Sequence, residues 1–225
     1  MTQTDASPRP SRLPSQRPGA AGGKRDQNRR ERTRALCDAA LGLFLERGID
    51  SVAVDDITAA ASVAKGSFYR YFDDKEALLV AVLAPFAERM DAAIAVCEQA
   101  LAAASSTAGV VTAYLTLAVS LEGTISAHPR EVLLYLQERR APPIAARRPV
   151  SAIAARVNER AIVLTGYAHE RGLLRPVEAR VSALTVIGAV EQLAFEHLRG
   201  TDLGNTRAVA ATVVSVVLEG LTPRR

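Results

Sequence analysis

The chain has 225 residues, enough for one or two domains, and 48% of them are apolar while only 4% are aromatic. Alanine, leucine and valine dominate, and Gly and Pro cluster at candidate element ends, which favours an all-helical protein packed through small residues. The formal net charge is only +4, but residues 1–30 hold seven basic side chains against two carboxylates, which leaves −1 for the remainder. This asymmetry indicates a polyanionic partner near the N-terminal segment.

Residue types and spacings exclude several classes of function. Cys37 and Cys97 lie far apart and form no C-x-x-C pair, so both are expected to be small core residues or free thiols in a reducing compartment. The three histidines show no ligand spacing, so neither a metal nor a cofactor is expected. No nucleophile elbow, Gly-rich phosphate loop or paired carboxylates are recognisable, so the chain is not expected to be an enzyme and no catalytic residue is assigned.

A cytoplasmic location is expected because the N-terminal segment is polar and has no apolar core of a signal peptide. Residues 99–121 carry no charge and are long enough to span a bilayer. Hydroxyl residues and a glycine near the middle of this stretch make it a poor membrane span. The stretch therefore predicts a helix end, a loop and a new buried helix, with no membrane partner.

The first two predicted units are a basic arm and a helix. Residues 1–27 are rich in Pro, Ser, Gly and Arg and are expected to be disordered without a partner, either as an inert tail or as an arm that contacts DNA. A helix is predicted from about Arg29 to Arg47, and Gly48 fits the left-handed cap beyond its end. Its buried stripe consists of Leu36, Ala39, Ala40, Leu43 and Phe44.

Residues 51–78 are the most informative stretch. Apolar residues at helical spacing predict a short helix, residues 62–64 interrupt the pattern, and a second helix is predicted from Lys65 to Phe72 with Phe68 and Phe72 on one face. Two helices joined by so short a turn predict a helix-turn-helix, although an ordinary solvated helix pair has the same spacing. The opposite face offers cations, hydroxyls and aromatic rings suited to phosphates and thymine methyls: Lys65, Ser67, Tyr69, Arg70 and Tyr71.

Two strings of this region resemble a known family. Residues 65–78, K-G-S-F-Y-R-Y-F-D-D-K-E-A-L, and residues 34–48, R-A-L-C-D-A-A-L-G-L-F-L-E-R-G, are similar to the N-terminal signature of the TetR family over roughly fifty residues. The resemblance implies an all-α protein with a three-helix helix-turn-helix DNA-binding domain (28–73), followed by a helical ligand-binding and dimerisation domain (74–225). The implied DNA-binding residues are Lys65, Gly66, Ser67, Tyr69, Arg70, Tyr71 and Lys75, with Arg29 and Arg30 of the neighbouring helix.

The sequence departs from the family pattern at three positions. Ser62 stands where the turn usually has glycine, and Ala53 and Ala64 stand where a serine or threonine usually caps each short helix. A lost N-cap costs on the order of 1 kcal/mol, and a hydroxyl contact to phosphate is lost with it. These departures bear on DNA affinity rather than on fold.

The rest of the chain predicts six more helices. The first has Asp73 as its N-cap and Glu76 three residues on, and Pro85 predicts a kink or break inside it. Five helices follow, over about 107–127, 129–140, 150–171, 177–198 and 206–221, with Pro142, Pro143 and Pro149 in a loop.

The last two helices are apolar on most sides, so they are expected to be buried. They lie either inside one subunit or, as the resemblance implies, in a four-helix bundle between two copies of the chain. A pocket between helices would hold an unknown small-molecule effector. Its candidate polar residues are Tyr114, Glu122, Gln137, His169, Glu191 and Gln192.

Together these features predict a ligand-responsive dimeric repressor that binds a palindromic double-stranded DNA operator. Two alternatives remain open. One is a helical ligand-binding or scaffold protein whose helix-turn-helix no longer reads DNA, which the missing caps favour slightly. The other is an activator on the same fold.

Overall fold

The computed structural model describes residues 23–143, 145–174 and 177–221. Within these ranges the chain is helical and forms no strand, which confirms the predicted all-α class. The helices are α1 (Lys24–Arg47), α2 (Val54–Ala60), α3 (Lys65–Phe68), α4 (Lys75–Ala103), α5 (Thr107–Ala127), α6 (Pro129–Glu138), α7 (Arg148–Glu170), α8 (Ala179–Leu198) and α9 (Thr206–Leu221). A single 3₁₀ turn, Ala145–Arg147, leads into α7.

The start of α1 differs from the prediction. The helix begins at Lys24, not near Arg29, so residues 24–27 are helical and do not belong to a disordered arm. Asp26 lies in the first turn, where a carboxylate suits the helix dipole, and it pairs with Arg30 at 3.1 Å. Residues 1–22, the rest of the predicted arm, lie outside the described residues.

The short helices α2 and α3 show the departures expected from the sequence. Ser62 in the turn between them has a φ of 53°, the left-handed region that favours glycine. Neither Ala53 nor Ala64, the two N-cap residues, offers a side-chain oxygen to its helix. One capping hydrogen bond of α2 is still made: the Ala53 amide donates to the Asp56 carboxylate at 2.9 Å.

The second half of the chain contains two corrections of detail. The N-cap of α4 is Asp74, whose side chain accepts the Ala77 amide at 2.7 Å, and not Asp73. The helix then runs without a break through Pro85. Pro149 belongs to the first turn of α7, where its missing N–H costs nothing, and not to the preceding loop.

The buried apolar side chains form two clusters. The larger one unites the helix-turn-helix residues Ile57, Phe68 and Phe72 with Leu134 of α6 and Val150 of α7. The smaller one lies between the C-terminal half of α4, α5 and α7. The helix-turn-helix therefore shares its core with helices of the second half of the chain, and the domain division proposed from the sequence does not correspond to separate cores.

The two last helices are much less buried than their sequences suggest. In α8 only Ala183 is buried, and no residue of α9 whose exposure is described is buried. Val181, Leu184 and Val216 are 62%, 42% and 67% exposed. Burial inside a single chain therefore does not account for the apolar outer faces of α8 and α9.

One described helix, α5, is long and apolar enough to cross a membrane by length and composition alone. It begins after a short loop at residues 104–106, which confirms the predicted helix end, loop and new helix. The helix is less buried than expected and packs along α4 and α9. Four of its hydroxyl groups donate to the carbonyl four residues earlier in the helix, at Thr112, Thr116, Ser120 and Thr124.

Candidate DNA interface and effector cavity

The recognition helix is anchored by its aromatic residues. Phe68 is fully buried and Phe72 nearly so, with ring centroids 5.8 Å apart, and both pack with Ile57 and Val63 as the sequence predicts. The α-helical part of this element is only four residues long. It is extended by two turn-like bonds, from the Arg70 amide to Ser67 and from the Tyr71 amide to Phe68.

Most of the predicted contact residues of this helix face solvent. Lys65, Gly66, Tyr69 and Arg70 are exposed, and Tyr69 retains 57% of its accessible surface. The Lys65 ammonium donates to the Asp55 carboxylate at 2.8 Å, and this hydrogen bond raises the pKa of Lys65. Since both groups are well exposed, a phosphate in this position would compete for Lys65 at little cost.

Tyr71 differs from its neighbours because it is half-buried against the large core. It shares a shallow polar groove with Arg70 and Ser67 of the recognition element and with Asn28 and Arg32 of α1. Sequence reasoning missed Asn28 and Arg32. Their spacing of four on a helix, within the basic run that supplied Arg29 and Arg30, is the signal that would have found them.

The two predicted arginines of α1 are both exposed. Arg30 already pairs with Asp26, and this surface pair is weak enough to exchange for a phosphate. Arg29 projects from the same end of α1. The N-terminal part of α1 and the recognition helix thus present cations on neighbouring surfaces.

Lys75 has a contact that the sequence did not predict. Its ammonium donates to the backbone carbonyls of Ile49 and Val52, at 2.7 and 2.8 Å, and thereby holds the loop between α1 and α2. Burial lowers the pKa of Lys75, and the neighbouring Arg147 lowers it further against an opposing effect of Asp50. Two of the three N–H donors are therefore used inside the protein, and the phosphate contact of Lys75 stays a prediction.

A buried carboxylate ties the same loop to the second half of the chain. Glu138, at the end of α6, accepts the Ile49 amide at 3.2 Å and Arg147 Nε at 2.7 Å. Arg147 also pairs with Asp50 at 2.6 Å. We call Glu138, Arg147, Asp50 and the Ile49 amide the loop clamp. It connects residues about ninety positions apart, beyond the reach of local sequence patterns.

A large apolar cavity lies on the other side of α6. Its volume is about 280 Å³ and its walls come from α4 to α9, with aliphatic side chains in the majority. Ile187 of α8 and Val214 of α9 are among the lining residues. The largely aliphatic lining with a few polar groups is typical of a small-molecule site.

A cluster of polar and charged side chains borders the cavity at Glu191. The Tyr135 hydroxyl donates to Glu191 at 3.3 Å and accepts from Arg139 Nε at 3.2 Å, while Arg139 and Glu191 form an ion pair. Burial raises the pKa of Glu191, against the opposing effect of Arg139, and raises the pKa of Tyr135 to about 12. We call these three residues the cavity triad.

Of the six predicted effector residues, Tyr114, Glu122 and Glu191 line the cavity. Burial raises the pKa of Tyr114 to about 12. Gln137 and Gln192 are exposed on outer surfaces, and His169 lies away from the cavity with both ring nitrogens buried and without a partner. These three residues do not line the cavity, because their helices turn them away from it.

Both cysteines are free, and burial raises the pKa of each thiol to about 11. The described residues contain no group of three or more His, Cys, Asp or Glu side chains that could hold a metal ion.

The fold contains a helix-turn-helix with an exposed recognition element, an arrangement typical of DNA-binding proteins. The sequence profile of bacterial regulatory proteins of the tetR family matches residues 36–82. This match covers the helix-turn-helix and parts of the helices on either side of it.

Individual relatives divide into sequence matches and structural matches. The repressor DhaR from Mycobacterium sp. (strain GP1) is 53% identical over 51 residues, which are 23% of this chain and 26% of that protein. The chain thus matches about a quarter of the length of this relative.

Solved structures cover far more of the chain. FadR from Bacillus subtilis, in complex with stearoyl-CoA, superposes with a TM-score of 0.63 at 17% identity over 83% of this chain and 98% of that one. The fatty acid degradation regulator FadR from Bacillus halodurans superposes with a TM-score of 0.64 at 20% identity, over 86% of this chain and 97% of that one. Identities this low establish the common fold alone.

Proposed function

We propose that this protein is a ligand-responsive repressor that binds a palindromic operator as a homodimer and leaves it when a small molecule fills the cavity. One observation carries the proposal: α6 contacts both the cavity and the helix-turn-helix. Tyr135 and Arg139 belong to the cavity triad, and Glu138, between them in the sequence, belongs to the loop clamp. A shift of α6 by a ligand would therefore reach the DNA-binding unit directly.

DNA recognition would use the exposed side chains of the recognition element. Tyr69 and Arg70 are free to reach base edges, and Gly66 lets the backbone approach the groove closely. Lys65, Arg29 and Arg30 would bind phosphates, since their present partners are exposed carboxylates or solvent. The resulting contacts fit a helix inserted in the major groove.

Dimerisation would bury the outer faces of α8 and α9. Val181 and Leu184 project from α8 and Val216 from α9. Exposed apolar side chains on both helices favour an interaction surface there. A two-fold pairing of this surface would place two recognition helices on one face of the dimer, as a palindrome requires. A protein that acts on bacterial DNA would reside in the cytoplasm.

The proposal is tested by selecting bound sequences from a random pool of duplexes with the full chain. Enrichment of two inverted half-sites about one helical turn apart is expected. Failure to enrich any sequence would favour the helical scaffold with a degenerate helix-turn-helix, to which the uncapped Ala53 and Ala64 point. Reporter transcription from the enriched site, compared with and without the gene, distinguishes a repressor from an activator.

A further inference from the structure

The charges around the cavity restrict what can enter it. Glu122 and Glu191 are the charged residues in the described lining, and neither lysine nor arginine takes part in it. Arg139 lies behind Glu191, and the two side chains are 11% and 12% exposed. A ligand in the cavity therefore contacts the carboxylate oxygens of the protein, while the nearest cation, Arg139, is already paired with Glu191.

The cavity is long as well as apolar. Its lining follows α8 from Ser182 to His197, a stretch of about 22 Å at the usual helical rise, and follows α9 from Thr206 to Val217. The side chains along these runs are mostly Val, Ile, Leu and Ala. An extended aliphatic chain fits this shape and chemistry better than a compact polar metabolite.

The hydrogen-bonding capacity of the cavity triad indicates which polar group the ligand carries at one end of its aliphatic chain. The Tyr135 hydroxyl already donates to Glu191 and accepts from Arg139. The Glu191 carboxylate still has lone pairs, because two oxygens offer about four acceptor sites. A ligand group that donates a hydrogen bond is therefore satisfied at Glu191 without breaking the triad.

We propose that the effector is an elongated aliphatic molecule ending in an uncharged hydroxyl group, which donates to Glu191 of the cavity triad. This inference rests on the proposed function, since it takes the cavity as the effector site. A ligand carboxylate would face Glu191 and find no unpaired cation, so it would lose its solvation without compensation. A ligand ammonium would disturb the ion pair between Arg139 and Glu191, in which the two charges already balance.

The test compares three probes with the same ten-carbon chain, 1-decanol, decanoate and decylammonium, by isothermal titration of the full chain near neutral pH without DNA. Decanol should bind at least about tenfold more tightly than either charged probe. Equal or tighter binding of decanoate, or no measurable binding of any probe, overturns the proposal. Tighter binding of decylammonium that is lost in Glu122→Gln also overturns it.

Glu191→Gln provides a second, independent test. Removing this charge leaves the largely buried Arg139 without a charged partner, so decanoate should gain at least about tenfold in affinity while decanol changes by less. Glu122→Gln is the matched control, because it removes a cavity carboxylate without releasing a cation, and it should leave the preference for decanol intact. Unchanged decanoate affinity in a folded Glu191→Gln protein contradicts the role of the triad. Should that variant not fold, the order of the three probes on the unmodified chain still decides.

The inference and the proposed function fail in different ways. Decanol that binds in the cavity but leaves DNA affinity unchanged supports the ligand class and contradicts the proposed regulation. DNA affinity measured without any probe is independent of both outcomes.

Discussion

Replacing Glu138 with Ala should destabilise the protein, because this carboxylate joins the helix-turn-helix to α6. The side chain accepts the buried Ile49 amide at 3.2 Å and Arg147 Nε at 2.7 Å. Leaving a buried N–H without an acceptor costs about 1–3 kcal/mol. Arg147 retains its ion pair with Asp50 at 2.6 Å and is partly exposed, so the loss of Glu138 as its second partner adds about 0–1 kcal/mol to the destabilisation. The expected loss in the free energy of unfolding is therefore about 1–4 kcal/mol.

Urea denaturation followed by circular dichroism measures this loss. Glu138→Gln retains an oxygen for the Ile49 amide and should lose less than the alanine variant. Glu88→Ala is the matched control, because Glu88 is exposed in the middle of α4, and it should change stability by no more than about 0.5 kcal/mol. A Glu138→Ala protein as stable as this control would refute the assignment of the loop clamp.

Three further substitutions test separate parts of the structure. Lys75→Met leaves two backbone carbonyls unpaired and should cost about 1–3 kcal/mol in urea denaturation. If the stability is unchanged and the salt dependence of DNA binding falls by about one unit of slope, Lys75 binds a phosphate instead. Ala64→Ser should add an N-cap and raise the melting temperature by the equivalent of about 0.5–2 kcal/mol, whereas Ala59→Ser inside α2 should lower it slightly. Leu184→Glu should convert the proposed dimer to a monomer in light scattering, while Val80→Glu, at an exposed apolar position of α4, should not.

The helix-turn-helix was predictable because its signals are local. The spacing of Phe68 and Phe72 indicated the buried face, and the residue types at Ser62 and Ala64 indicated a strained turn and a missing cap, both of which the structure contains. Glu191, one of the effector candidates, lines the cavity for a related reason. A carboxylate in an otherwise apolar helix requires a partner, and Arg139 supplies it.

The contacts that the sequence did not reveal are those made across long separations. Lys75 has the position of a phosphate-binding residue in the family pattern, but its ammonium is held by carbonyls more than twenty residues earlier. Glu138 went unnoticed while its neighbour Gln137 was selected, since only the packing of α6 decides which of the two faces the interior. The faces of α8 and α9 that line the cavity were not predictable for the same reason. Helices that are apolar on all sides give no periodic signal to separate the cavity face from the outer face.

The most direct measurement is a fluorescence anisotropy titration of the full chain on the enriched duplex and on a scrambled duplex of the same composition, at one salt concentration. The enriched duplex should bind at least about 10³-fold more tightly. Tyr69→Ala should lose about 1–3 kcal/mol on that duplex and little on the scrambled one, because the exposed ring reads the groove and does not hold the fold. Equal affinity of the unmodified chain for both duplexes would contradict sequence-specific DNA recognition by this protein.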